Sequence, residues 1–317
     1  MPEPLTSEST AELRQLTHIQ FGLLSPEEIK SMSVCEITTP LAYVNGIPVD
    51  NGLMDLRMGT ADRGFRCKTC GMDMNECPGH FGHIELVKPC YHIGQMRAIV
   101  KILRCVCYHC SSLLLSPDHK QYGSIMRIKN KSRRLASMLK LCQSMKRCNG
   151  GFDDTVNENT DNTQNDPLKL ELKKTRGCGN LLPRYTVEGG FKLHTQFPDD
   201  ANFVEGDTDR KKLLSASRVH QIFKRISDSD CYILGLDPAY SRPDWMIITV
   251  FACPPPQVRP AVMFDSVNRS NDDLTYKLSD IVKINTALRK QESQGAAEHI
   301  LQDYSDLLQY HTAICRI

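Results

Sequence analysis

The chain has no run of 18 or more apolar residues, and its start, MPEPLTSEST, lacks the apolar core of a secretory signal, so neither a membrane span nor export is expected. It has little net charge. Thirty-nine Lys and Arg against 37 Asp and Glu leave +2, so the total says little and the charge distribution must be read instead. It also contains no H-E-x-x-H, and with it lacks a familiar signature of zinc hydrolases. What it has is length and cysteine. The 317 residues suffice for about two domains with a sizeable core, and 40% hydrophobic with 24% charged residues is the composition of an ordinary soluble protein. Fourteen cysteines are many, yet they do not form the regular ladder of a small secreted scaffold, and several stand in C-x2-C pairs. A reducing cytosolic or nuclear compartment is favoured, where metal ligation outranks disulfides.

Residues 62–86 are the organising stretch. Cys67, Cys70, Cys77 and His80 are spaced C-x2-C-x6-C-x2-H, and two such pairs can each turn back on one ion. Gly71 follows the first pair and Gly79 lies inside the second, where chain reversal favours positive φ. Three thiolates and an imidazole fill a tetrahedral shell, so a structural Zn2+ is expected rather than a hydrolytic one. A disulfide or plain buried cysteines are the alternatives.

A second group is more dispersed. Cys107 and Cys110 form a C-x2-C pair that needs two further ligands, with Cys142, Cys148 and Cys178 downstream. Cys148 and Cys178 are selected because each sits beside glycine, in CNGG and GCGN, where backbone can wrap a metal. Cys142 falls on the apolar side of a helix with Leu135, Met138, Leu139 and Met145, so it and Cys105 read as core thiols.

Around these groups the chain reads in order. The first ten residues are a disordered start, and the helix-compatible, apolar ELRQLTHIQFGLL follows. Ser25-Pro26-Glu27-Glu28 begins a helix over 25–33, and residues 36–62, with Asn45-Gly46 and Asn51-Gly52, predict short strands and turns. A helix is expected over 95–104, and SSLLL (111–115) is strand-like. Ser124 to Arg147 holds eight Lys or Arg and no acid, a face for nucleic-acid phosphate, a solvated helix surface or a nuclear-import signal. Asp153 to Asp166 carries five acids and no base and reads as a flexible insertion. Gly189-Gly190 marks a hairpin turn within 181–197. A helix over 213–226, capped at Ser215 or Ser217, buries Val219, Ile222, Phe223 and Ile226. Residues 245–251 (WMIITVF) form a buried strand, and Pro254-Pro255-Pro256 turns 254–260 into a projecting loop. Leu274, Leu278, Ile281, Asn285 and Leu288, then Ala297, Leu301, Tyr304, Leu308, His311 and Cys315 after a break at 293–295, predict an antiparallel helical hairpin with a coiled-coil seam and His311 packed within it. No stop signal precedes Ile317, which is the pattern of a fragment or a truncated product.

Several segments together resemble the N-terminal part of the largest subunit of eukaryotic RNA polymerase II: IQFGLLSPEEI (19–29), CKTC with CPGHFGHIEL (67–86), LRCVCYHC (103–110), GCGN (177–180), SRPDWMIITV (241–250), PPPQVRPAV (254–262) and DDLTYKLSDIVKIN (272–285). The resemblance implies most of the clamp, an α+β, irregular, zinc-stapled module with short sheets, surface helices and a C-terminal helical hairpin. It implies an N-terminal clamp core (1–94), a clamp head (95–230) with a disordered insertion over 151–167, and a third part (231–317) with a core strand, a lid at 254–268 and clamp helices at 271–316. Two structural Zn2+ would be held by Cys67, Cys70, Cys77 and His80 and by Cys107, Cys110, Cys148 and Cys178. Implied partners are DNA, the RNA–DNA hybrid, the other polymerase subunits including the second-largest, and elongation and initiation factors at the hairpin, all in the nucleus and none at a membrane. No NADFDGD-like run occurs here, so the family's catalytic Mg2+ site lies outside this sequence and the chain alone would be an inactive part of a nucleotidyltransferase. A free-standing zinc-dependent nucleic-acid-binding or scaffold protein is the alternative reading, and a zinc hydrolase a weaker third.

Overall fold

The computed structural model describes residues 15–115, 117, 119–148, 177–198, 211–263 and 269–315. The disordered start, the acidic insertion and residues 264–268 of the lid-like segment thus lie outside the described residues. Residues 15–25 are irregular rather than helical, with Leu16, Ile19 and Phe21 exposed, which corrects the helix-compatible reading; Leu23 N–H donates to the Tyr240 carbonyl at 2.8 Å. Helix α1 (Pro26–Met32) begins with a full capping box: Ser25 Oγ accepts from Glu28 N–H at 3.0 Å while Glu28 Oε2 accepts from Ser25 N–H at 2.8 Å. Strands β1 (Tyr43–Val44) and β2 (Ile47–Pro48) then close a hairpin through Asn45 and Gly46, both at positive φ, as a two-residue turn of matching twist requires.

Strand β3 (Gly82–Tyr91) leaves the cysteine-rich stretch and pairs antiparallel with β7 (Ile247–Cys253). The register runs from Gly82 opposite Cys253 to Tyr91 opposite Ile247, and it slips between Glu85 and Cys90, where β3 carries extra residues including Pro89. Trp245 and Met246 stand in a 3-10 turn before β7 instead of in the strand itself. Between the two strands come α2 (Met96–Leu103), α3 (Tyr122–Met126) and α4 (Lys131–Cys142), then a three-stranded antiparallel sheet of β4 (Arg184–Glu188), β5 (Lys192–Gln196) and β6 (Lys211–Leu213) in that order, then α5 (Ala216–Lys224) and α6 (Asp228–Leu234). Gly189 and Gly190, both at positive φ, turn β4 into β5, and Ser215 caps α5. SSLLL is not a strand: it contributes one bridge, Leu113 to Val106, because Ser111 is committed to the turn after Cys110.

Two apolar clusters meet along the β3–β7 spine. One gathers residues from Tyr91 to Ile247, with Ile99, Met138, Leu193, Val219 and Phe223 at its centre. The other joins residues 35–90 to 251–315, with Ile37, Leu53, Met58, Ile84, Phe251, Leu278 and Leu308. Its C-terminal part is the pair α7 (Asp273–Ser293) and α8 (Glu298–Ile314), separated by a break at Gln294 and Gly295. Asp280, early in α7, lies 3.8 Å from His311, late in α8, so the two helices run in opposite directions. Leu278, Ile281, Leu288 and Leu308 are buried as the spacing predicts, whereas Ala297 caps α8 and is exposed.

The spacing places Asn285 on the buried seam but does not mark Gln309, and both amides are buried against β3. Asn285 accepts from Val87 N–H (2.9 Å) and donates to Glu85 C=O (2.7 Å); Gln309 does the same to Tyr91 N–H (2.6 Å) and C=O (3.0 Å). Each helix thereby satisfies backbone groups of β3, Asn285 at the point where the ladder slips.

The proline segment after β7 also corrects its expectation. It is no sheet member, but it does not project: Pro254, Pro255, Pro256 and Arg259 are buried. The Arg259 guanidinium finds acceptors from distant parts of the chain, donating to Pro254 C=O at 3.1 Å, to Leu53 C=O and to Thr275 Oγ1 at 3.2 Å. Three prolines supply rigidity without N–H groups to satisfy, so the segment can lie against the protein without joining a ladder.

Candidate metal centres

The first group is built on the carbonyls of Leu56, Arg57 and Met58. They accept from Lys68 N–H (3.0 Å), Thr69 Oγ1–H (2.7 Å) and His80 N–H (2.8 Å), so one short segment holds both halves of the C-x2-C-x6-C-x2-H pattern. That segment is fixed by Leu53 and Met58, fully buried, and by Asp55, whose carboxylate takes N–H bonds from Asn51 (2.6 Å) and Arg57 (2.9 Å) and pairs with the Arg57 guanidinium at 2.6 Å. Gly79, at φ 83°, packs against the proline segment; a Cβ there would lie 2.7 Å from Pro255 Cβ.

The two C-x2-C pairs make the same turn. In the first, Cys67 N–H donates to Met72 C=O, Gly71 N–H to Cys67 C=O and Thr69 N–H to Cys67 Sγ. In the second, Cys107 N–H donates to Ser112 C=O, Ser111 N–H to Cys107 C=O and His109 N–H to Cys107 Sγ. Ser111, at φ 62°, takes the place of Gly71, at φ 73°. No sequence signal marked Ser111, since a serine in this conformation is uncommon. Cys148 and Cys178 are brought together by antiparallel pairing, with Cys148 N–H on Asn180 C=O (2.9 Å), Gly179 N–H on Cys148 C=O (3.0 Å) and a bridge between Arg147 and Leu181.

The structure thus gathers Cys67, Cys70, Cys77 and His80 into one group and Cys107, Cys110, Cys148 and Cys178 into another, the donor atoms of each within 4.8 Å of one another. Cys142 is buried against Cys105, outside the donors. The fit to an ion can be tested on the spacing of the donors. A tetrahedron with bonds of about 2.3 Å has edges of about 3.8 Å. Cys70 and Cys77 sulfurs are 3.5 Å apart, Cys77 Sγ and His80 Nε2 3.8 Å, Cys107 and Cys178 3.5 Å, and Cys110 and Cys148 3.7 Å. A disulfide, at about 2.05 Å, would need only two of the four and would leave the others without a role.

The electrostatics differ within each group: Cys67 and Cys148 are lowered, whereas Cys77, Cys107 and Cys178 are raised, with burial among the causes. Cys148 is pulled down to about 4, first by its hydrogen bond with Cys107 and further by the Cys178 backbone N–H, while Cys107 is raised as the partner that keeps the proton. Burial pushes Cys67 up, but donors from the Cys70 and Thr69 backbone outweigh it and the net direction is down. Arg127, Lys129, Lys131, Arg133 and Lys140 are exposed along and before α4, and Arg134 donates to Tyr232 C=O at 2.7 Å. Among the described residues no helix is long and apolar enough to cross a membrane.

Two four-donor groups that could bind zinc are set in a mixed fold of helices and short sheets, which defines a protein with two candidate structural metal centres. The chain belongs to the family of RNA polymerase Rpb1, domain 1, whose model matches residues 13–315, and corresponds to the N-terminal region of the largest subunit. It is similar to the DNA-directed RNA polymerase II subunit RPB1 of Euplotoides octocarinatus, 41% identical over 307 residues. The match covers 97% of this chain and 60% of that protein, so the chain spans about 60% of the length of the curated relative it matches.

Proposed function

We propose that this chain forms the N-terminal clamp part of the largest subunit of a DNA-directed RNA polymerase II and contributes to RNA synthesis by closing over DNA and the RNA–DNA hybrid. One observation carries the reading: the family match runs from 13 to 315 without leaving out either four-donor group or the α7–α8 pair. One Zn2+ is held by Cys67, Cys70, Cys77 and His80 and a second by Cys107, Cys110, Cys148 and Cys178. Each zinc, when bound, supplies a fixed tetrahedral cross-link and no chemistry of its own. Residues 1–94 make the clamp core, 95–230 the head and 231–317 the remainder; the change of apolar cluster near Tyr91 supports the first boundary, whereas the head's cluster continues past 230 to Ile247 and the first and third parts share the other cluster. Residues 254–268 act as the lid and α7 and α8 as the clamp helices that elongation and initiation factors touch.

The mechanism is positional. The exposed cations of α4 meet phosphate without reading sequence, and Asn285 and Gln309 tie the helix pair to β3 so that helices and spine move together. The catalytic Mg2+ belongs to residues outside this chain, and the second-largest subunit and the nucleus are the expected partner and compartment.

The test has two parts. Elemental mass spectrometry should count two zincs per chain, falling to one in Cys178→Ser; a single zinc indifferent to that change would remove the second centre. An affinity-tagged subunit with a photo-crosslinking residue in place of Lys140, assembled into polymerase on a DNA template, should crosslink DNA and co-purify with the second-largest subunit. A tagged chain recovered alone and uncrosslinked refutes the clamp reading.

A further inference from the structure

The basic stretch before and along α4 holds a serine to which the clamp mechanism gives no role. Ser132 is the second residue of α4, exposed, between Lys131 and Arg133, with Arg127 five and Lys129 three residues before it. All four cations are exposed and make no side-chain hydrogen bond or ion pair among the described residues. The neighbouring serines are engaged. Ser124 Oγ donates to Gln121 C=O at 2.7 Å, Ser137 Oγ to Arg133 C=O at 3.0 Å and Ser144 Oγ to Leu141 C=O at 2.8 Å. The Ser132 hydroxyl makes no such bond among the described residues, since the carbonyls three and four residues behind it belong to the non-helical segment 128–130. Asn130 Oδ1 accepts from Arg133 N–H at 3.1 Å, which leaves the Lys131 and Ser132 N–H groups without an acceptor among the described residues.

We propose that Ser132 is the phosphoacceptor of a protein kinase with an acidic substrate groove, and that its phosphate switches off the cationic face of α4. Cations on both sides of the acceptor complement such a groove, the kind of charge pattern by which kinases select substrates. Residues 128–130 lie outside any helix, so only the first turn of α4 must fray for the stretch around Ser132 to lie extended. In the transfer, Ser132 Oγ bonds to the γ-phosphorus of ATP. The bond from that phosphorus to the β–γ bridging oxygen breaks, ADP leaves with the electron pair, and the hydroxyl proton passes to a kinase carboxylate. A group of about −1.5 to −2 charge then replaces a neutral hydroxyl among four cations. At the second position of a 12-residue helix it also meets the free N–H groups of Lys131 and Ser132. The phosphoserine thus occupies the cations that would otherwise meet nucleic-acid phosphate. That last step rests on the role proposed for α4; the acceptor site does not.

The test treats the zinc-loaded full chain with the catalytic domain of protein kinase C and ATP, and maps the phosphate by peptide mass spectrometry. One phosphate per chain is expected at Ser132, absent in Ser132→Ala, with Ser124, Ser137 and Ser144 unmodified. Titrated by anisotropy with a fluorescein-labelled DNA duplex, the phosphorylated chain should bind about tenfold more weakly at low salt, and the slope of log affinity against log salt should fall by about 2. Kinase treatment of Ser132→Ala should change neither quantity. Three results overturn the proposal: incorporation that persists in Ser132→Ala, meaning another acceptor; no incorporation in the chain while a free peptide of residues 125–136 is phosphorylated, meaning that α4 keeps the serine out of reach; and phosphate at Ser132 with an unchanged salt slope, meaning that it does not engage the cations. Failure of the α4 role itself looks different: the unmodified chain then shows no salt-dependent affinity for duplex, which removes the switch, while the mapping still decides the acceptor site.

Discussion

Replacing Arg259 by methionine tests whether the proline segment joins the first metal centre to the helix pair. The side chain is fully buried and its guanidinium reaches the carbonyls of Leu53 and Pro254 and the hydroxyl of Thr275. Methionine fills most of the space and donates nothing. At about 1–3 kcal/mol for each buried acceptor left without a donor, the two carbonyls cost about 2–6 kcal/mol. Removing a buried charge returns part of this, so a net loss of about 3 kcal/mol is expected. The loss should be local, because the acceptors lie in the loop beneath the first donor group and in the first turn of α7. Hydrogen exchange read by mass spectrometry should therefore accelerate on the order of a hundredfold in peptides covering 53–59 and 273–282, since about 1.4 kcal/mol is tenfold. The α5 helix (216–224), in the other apolar cluster, should keep its rate. Arg259→Lys should behave almost like methionine, because one ammonium cannot span three acceptors arranged around a planar fork. Unchanged exchange in 273–282, or equal acceleration in α5, would refute the reasoning.

Three further outcomes follow from the same contacts. Gly79→Ala places a Cβ 2.7 Å from Pro255 at a positive φ, which costs about 1–2 kcal/mol in backbone strain before the clash is counted; the first zinc should be lost at lower chelator concentration than in the parent while the second is retained. Asn285→Leu leaves Val87 N–H and Glu85 C=O unsatisfied at the slipped register, and urea unfolding of the α7–α8 region should come about 2–4 kcal/mol earlier, whereas an unchanged midpoint would mean that water replaces the amide. Burial pushes the Asp55 carboxyl up, but the Arg57 side chain and the Arg57 and Asn51 backbone N–H groups outweigh it, and its pKa is lowered. A carboxyl with a depressed folded pKa stabilises above the ordinary value of about 3.9 and loses that contribution as pH falls through the folded value. The stability gap between the parent and Asp55→Asn should then be constant from pH 7 to about 5 and shrink below about 4; a gap that widens in acid would contradict the assignment.

Spacing made the first donor group and the Cys107–Cys110 pair legible, because a tetrahedral ion imposes short repeats on the chain, whereas Cys148 and Cys178 stand out only by the glycines beside them. Local chemistry likewise made the Ser25 capping box and the Gly189-Gly190 turn legible, since both are complete within a few residues. What escaped depends on distant partners. β3 has no clean alternation because its middle, around Pro89, leaves the ladder and is served by Asn285. Gln309 and Thr312 look like a solvent face in a helical pattern, and they are buried against β3 only because α8 lies there. The proline segment reads as exposed until Leu53 and Thr275 are brought to Arg259 from opposite ends of the sequence.

The two centres are built into the fold differently, and this sets what each can influence. Between Ser33 and Phe81 the regular structure amounts to β1 and β2, two residues each, so the first donor group, together with Asp55–Arg57 and the buried Leu53 and Met58, does most of the shaping there. The proline segment packs on that shape at Gly59 and Gly79, and Arg259 carries the contact to the first turn of α7. The second donor group instead pins the 105–114 turn to the 146–148 and 178–182 pairing, beside a cluster already filled by α2, α4 and α5. Loss of the first metal should accordingly loosen the proline segment and the base of the helix pair, about 175 to 205 residues away in sequence, whereas loss of the second should loosen only its own surroundings and leave α7 and α8 docked on β3.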